Sequence, residues 1–110
     1  MREGDRFALV LVTAPLGDAA EALARSLVDS RLAACVNRIE PIRSTYRWRG
    51  EVHADDEALL LIKTSRDLLD RVETHVRENH PYEVPEILAL AIDGGNAAYL
   101  DWIAESLRSE

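Results

Sequence analysis

The sequence predicts a single α+β domain: four strands in one sheet, two connecting helices packed on one side of it, and an extra helix at the C-terminus. Three observations lead there. The chain has 110 residues, enough for one domain with a modest core and too few for two. Short apolar runs of strand length take turns with stretches of helical periodicity. Prolines, glycines and capping residues fall between these segments as punctuation. With 47% hydrophobic and 30% charged residues, the composition is that of a globular chain.

The elements follow in order. Phe7 to Val12 is continuously apolar and rich in β-formers, and Thr13-Ala14-Pro15 closes it, so it reads as a strand buried on both faces. Asp18, with Glu21 three residues on, offers a variant capping box, and Ala20, Leu23, Ala24, Leu27 and Val28 then form one helical stripe. From Leu32 to Trp48 the chain turns extended, with Ile42, Ser44, Tyr46 and Trp48 on one face and Arg43, Thr45, Arg47 and Arg49 on the other. Pro41 marks a bend or bulge in this strand. Gly50 turns the chain into a hairpin with the apolar run Ala58 to Ile62, and Thr64-Ser65 ends that strand. Leu68, Leu69, Val72 and Val76 define a second helix that stops ahead of Pro81. Ile87 to Ile92 is the fourth strand. After Gly94-Gly95, Asn96 caps a last helix carrying Tyr99, Leu100, Ile103 and Leu107.

The order βαββαβ plus a helix is the split βαβ, ferredoxin-like arrangement, and right-handed crossovers put both connecting helices on the same face of the sheet. The opposite face is predicted to be bare, yet strands one, three and four carry apolar side chains on both sides. Leu60 and Ile62 face one way, Leu59 and Leu61 the other. Soluble monomers rarely show apolar patches beyond a few hundred Å². Self-association with closed rotational symmetry is the expectation, and complete cover by the last helix is the alternative.

Composition excludes several roles. A net charge of -7 and a pI near 4.9 argue against nucleic acid and anionic membrane surfaces as partners. No apolar run approaches the roughly 20 residues of a membrane helix, and the charged N-terminus argues against a secretory signal, so a cytoplasmic protein is expected. Cys35 is the one cysteine, which leaves no intrachain disulfide and no CxxC loop. Neither Ser44 nor Cys35 has a base placed beside it by the sequence, and Gly94-Gly95 is too short to cradle phosphate, so no enzyme chemistry is expected. Arg43, Arg47 and Arg49 read as solvated partners of Glu51, Asp55 and Asp56 on an exposed strand face.

Two segments concentrate polar and aromatic residues: Ser44 to Gly50 and His80 to Ile87. Lys63 is the only lysine, Glu57 shares its strand face at period two, and Glu86 opens strand four. Charges on apolar strands are costly to bury unpaired. Lys63, Glu57 and Glu86 with Tyr46, Trp48, His80 and Tyr82 are therefore a candidate intersubunit cleft for a small anion or metabolite; a satisfied ion pair at the interface is the other reading. Tyr99 and Trp102, three apart on the last helix, form a candidate self-interface. Copper would suit Cys35 with imidazole, although His53, His75 and His80 share no tight ligand spacing and a buried cysteine also serves as a small apolar residue.

Taken together, Thr13-Ala14-Pro15, Ala34-Cys35-Val36-Asn37, the Ser44 to Gly50 segment, Lys63-Thr64, His80 to Ile87 and Tyr99-Leu100-Asp101-Trp102 resemble the CutA divalent-cation tolerance family along nearly the whole chain. The resemblance implies a homotrimer of ferredoxin-like subunits built like the PII-like signalling proteins, binding copper or other divalent metals without catalysis. The copper site proposed for such proteins has a cysteine just before Thr-Ala-Pro and two histidines before Pro-Tyr. Here Val12 holds the first position and Asn79-His80 the second, leaving His80 as the candidate metal ligand.

Overall fold

Residues 1–108 are described in a computed structural model. The predicted architecture is present. The strands are β1 (Arg2–Glu3), β2 (Phe7–Ala14), β3 (Cys35–Trp48), β4 (Glu51–Ser65), β5 (Ile87–Ala91) and β6 (Gly94–Gly95); the helices are α1 (Asp18–Asp29), α2 (Leu69–Glu78), which follows a single 3-10 turn, and α3 (Ala97–Leu107). The main sheet has the order β3-β4-β2-β5, antiparallel throughout.

A second, two-stranded sheet joins β1 to β6 and was not legible from the sequence. Its close approach depends on glycine: a Cβ at Gly94 would lie 2.9 Å from the carbonyl oxygen of Arg2, too near for any other residue without a shift. The helix starts divide. Asn96 caps α3 as expected, its side chain accepting the Tyr99 backbone N–H at 2.7 Å. The capping box at α1 does not form, because Gly17 holds the cap position with φ 93° and Asp18 lies inside the first turn. There its charge still complements the helix dipole.

Both connecting helices lie on one face of the sheet. Ala20, Leu23 and Leu27 of α1 and Val72 and Val76 of α2 pack with Val10, Val12, Leu60 and Ile62 in the main core. The other face is covered at one end only, where Leu100 and Ile103 of α3 bury Phe7. Leu88 and Leu90 of β5 stay 56% and 47% exposed and Ile39 of β3 46% exposed. Leu9, Leu11, Leu59 and Leu61 complete this open face and are half-buried within the chain. The terminal helix thus does not do all the covering.

The β3–β4 hairpin is longer than its apolar pattern suggested. β4 begins at Glu51, seven residues before the run Ala58 to Ile62, and meets β3 through the turn Arg49-Gly50, with φ 52° and 81°. Positive φ at both central residues is the twist-matched two-residue hairpin turn. The register shifts between Ile39 and Ile42, which is the bulge expected at Pro41. The shift changes which residues share a face. Cys35, Asn37 and Ile39 lie opposite Lys63, Leu61 and Leu59, while beyond the bulge Ile42, Ser44, Tyr46 and Trp48 lie opposite Glu57, Asp55, His53 and Glu51. Both sets therefore face the same side, and the open face of the sheet runs on into the hairpin.

Candidate functional site

Where that open face passes onto the hairpin, the 81–86 loop folds over it and encloses a cleft of about 780 Å³. Tyr46 and Trp48 of β3, Asp55 and Glu57 of β4, and Tyr82, Glu83 and Glu86 of the loop form its walls. The lining thus has four carboxylates and three aromatic rings, with no lysine or arginine among the described residues.

The phenols and carboxylates are paired. Tyr82 donates its hydroxyl to Glu57 Oε2 at 2.8 Å, and Tyr46 donates its own to Asp55 Oδ2. Glu57 is only 7% exposed, and the Tyr82 phenol supplies the hydrogen bond that a buried carboxylate requires. Ionisation of either ring is opposed. Burial, followed by the bond to Glu57, pushes the Tyr82 phenol well above the usual range, and the bond to Asp55 leads the causes that raise Tyr46. Both rings stay uncharged at neutral pH, so the charge of the cleft is that of its carboxylates.

His80 fixes the loop. Its Nε2 lies 2.7 Å from the Thr13 carbonyl oxygen and its Nδ1 accepts the Tyr82 backbone N–H at 3.1 Å. The ring satisfies both only as the tautomer with its proton on Nε2. Neither nitrogen faces a ligand without giving up one of these bonds. Its ring also packs against that of Tyr82, with centroids 4.7 Å apart.

Of the residues singled out from sequence, Tyr46, Trp48, Glu57, Tyr82 and Glu86 come together in the cleft. Lys63 does not. Six residues beyond Glu57 on an extended strand, it lies roughly 20 Å away, where its Nζ donates to the Tyr99 hydroxyl at 3.2 Å and sits 5.4 Å from the Tyr99 ring centroid. Without the lysine, the lining that one chain supplies is acidic, and the field of that lining favours cations over anions. Asp55 and Glu83 were missed as lining. Asp55 carried a usable signal, since it stands two residues from Glu57 on the same strand face. Tyr99 and Trp102 do share a surface, stacked with centroids 5.4 Å apart. Arg43 pairs with Asp56 at 3.1 Å, both well exposed, in keeping with the surface reading of the arginines.

The metal reading meets a constraint of donor chemistry. Among the described residues, no three of the His, Cys, Asp and Glu side chains are grouped to hold a metal ion. His53 stacks on Tyr46, His75 bonds Ser26, and Cys35 lies on the open sheet face with its thiol toward Asn37.

A sequence profile of the CutA1 divalent ion tolerance protein matches residues 8–106. The chain belongs to the CutA1 family. It is 48% identical over 98 residues to the divalent-cation tolerance protein CutA of Thermus thermophilus, covering 89% of this chain and 95% of that one. It is 49% identical over 100 residues to the chloroplastic CutA 1 of Oryza sativa, covering 91% of this chain and 56% of the relative. The chain thus spans a little over half the length of the plant CutA relatives and nearly all of the Thermus protein. Among solved structures, CutA1 from Oryza sativa superposes with a TM-score of 0.91 at 47% identity, over 96% of each chain. CutA from Synechococcus elongatus gives 0.93 at 36% identity, over 97% of this chain and 95% of the other. CutA1 proteins occur in more than one compartment, since one relative is named chloroplastic and another, from Archaeoglobus fulgidus, periplasmic. Among the described residues, no helix is long and apolar enough to cross a membrane.

Proposed function

We propose that this protein serves divalent-cation tolerance as a symmetric homotrimer in the cytoplasm, binding copper or another divalent ion without catalysis. One observation carries the reading: an open apolar sheet face runs directly into a cleft walled by four carboxylates. Apolar side chains on that face gain by meeting a second copy, and closed rotational symmetry is the usual outcome. The names of relatives from Thermus and Pectobacterium supply the cation-tolerance role. Because one chain groups no three ligands among its described residues, the ion is held by side chains from more than one copy, with the acidic clefts raising the local cation concentration.

Calorimetric titration of the assembled protein with copper and with manganese tests this. Binding is expected to persist in His80→Ala, whose nitrogens are committed to the loop, and to weaken about ten-fold in Asp55→Asn, the effect of losing one charged ligand. Absence of heat with either ion, or loss only in His80→Ala, contradicts it.

The size and aromatic walls of the cleft favour a second reading, a small-molecule site like that of the PII-like proteins. Ligand pockets of roughly 300–1,000 Å³ are typical, whereas a bare ion fills little of such a space.

A further inference from the structure

The shape and chemistry of the cleft point to a particular ligand class. We propose that it binds an aliphatic organic cation carrying two or more ammonium groups, a proposal that rests on the small-molecule reading of the cleft and not on the metal reading.

Three features converge on that class. First, the carboxylates are spread: Asp55 and Glu57 on the strand side, and on the loop side Glu86, with Glu83 already paired to Arg49. A ligand with several separated charges meets both sides, and a compact ion meets one.

Second, the walls between them are aromatic. Tyr46 and Tyr82 donate their hydroxyl protons to Asp55 and Glu57, so the phenol hydrogens are taken up; each ring packs on a histidine, His53 or His80, and still lines the cleft. Aromatic faces attract weakly hydrated organic cations, and the methylene segments between ammonium groups gain from the apolar ring surface. A small divalent ion gains nothing from such walls, because it demands oxygen ligands and holds its water tightly.

Third, the rim of the cleft already holds an organic cation of the chain's own. The Arg49 guanidinium lies 5.6 Å from the Trp48 ring centroid and donates to Glu83 Oε2 at 3.2 Å. One aromatic face and one carboxylate of the lining thus stand beside a delocalised cation on the exposed surface. Inside, the pairs Tyr82 with Glu57 and Tyr46 with Asp55 repeat the same combination without a cationic side chain in the lining.

Calorimetry with spermidine as probe tests the proposal on the whole protein. The expected result is saturable binding of one equivalent per chain, weakened about ten-fold in Glu86→Gln and in Tyr82→Leu. Glu21→Gln with Asp29→Asn, which removes twice the charge of Glu86→Gln from α1 residues outside the cleft lining, should leave it unchanged. Glu86 is exposed, so its variant stays informative should Tyr82→Leu fold poorly. Magnesium chloride at matched charge should not compete below tens of millimolar. Three results overturn the inference: no spermidine binding; binding weakened equally by the α1 variant or by magnesium, which marks general attraction to an acidic protein; or binding of citrate that is lost in Tyr82→Leu. The last keeps a small-molecule cleft and removes the cation from it, whereas silence toward both probes removes the cleft reading as well.

Discussion

The buried Glu57 carboxylate shows how one side chain organises the site. At 7% exposure it must be hydrogen-bonded, and Tyr82, brought across by the loop that His80 anchors, provides the bond. Tyr82→Phe removes the donor and keeps the ring. It should cost about 1–3 kcal/mol, the usual penalty for a buried polar group left without its partner, measurable by denaturant unfolding. The same bond sets a pH dependence. A phenol whose folded pKa lies above its unfolded value of 10.0 adds stability that is complete below pH 10 and is lost as pH climbs beyond it toward the folded pKa. The melting temperature of the wild type should therefore fall more steeply above pH 10 than that of Tyr82→Phe, and equal slopes would show that the Tyr82–Glu57 pair is not formed in solution. Glu57 and Tyr82 were legible as site residues because charge and ring stood out in strand-linked segments. The His80 contacts were not, since its partners are backbone atoms of residues 13 and 82, which no side-chain pattern reports.

At the scale of elements, local signals succeeded where a side chain acts on its own helix and failed where geometry comes from elsewhere. Asn96 accepts the Tyr99 N–H of the helix it starts, whereas Asp18 makes no cap bond because Gly17 takes that position. The two substitutions should separate accordingly. Asn96→Ala should destabilise by about 1 kcal/mol, and Asp18→Ala by no more than the few tenths that a first-turn charge contributes, read as midpoint shifts in urea. A comparable loss from Asp18→Ala would restore the capping box. The polar stretch Glu51 to Glu57 concealed half of β4, because its residues pair with β3 while most remain exposed and so carry no apolar alternation. The sheet of β1 and β6 was hidden for a related reason: Gly94-Gly95 reads as a chain break, and only tertiary approach to Arg2 reveals it as a strand.

The whole molecule is elongated, with principal extents of 45 × 28 × 22 Å, because the hairpin is long and one sheet face carries helix at one end only. The apolar residues on both sides of β2 and β4 made that open face legible in the sequence. The bulge that carries it into the cleft was legible only as a bend at Pro41, since its effect on facing depends on the partner strand's register. Leu9, Leu11, Leu59, Leu61, Leu88 and Leu90 share this face. Full burial of a leucine is worth roughly 1.5–3 kcal/mol relative to exposure, so even the part of this surface still open favours association by several kcal/mol per chain. Cleft, hairpin and open face are contiguous, so the proposed association would bear on the site as well as on stability. Sedimentation equilibrium at micromolar concentration decides between the trimer and a single chain: a single species of three times the 12.3 kDa chain mass is expected, and a folded species at the mass of one chain would rule the trimer out.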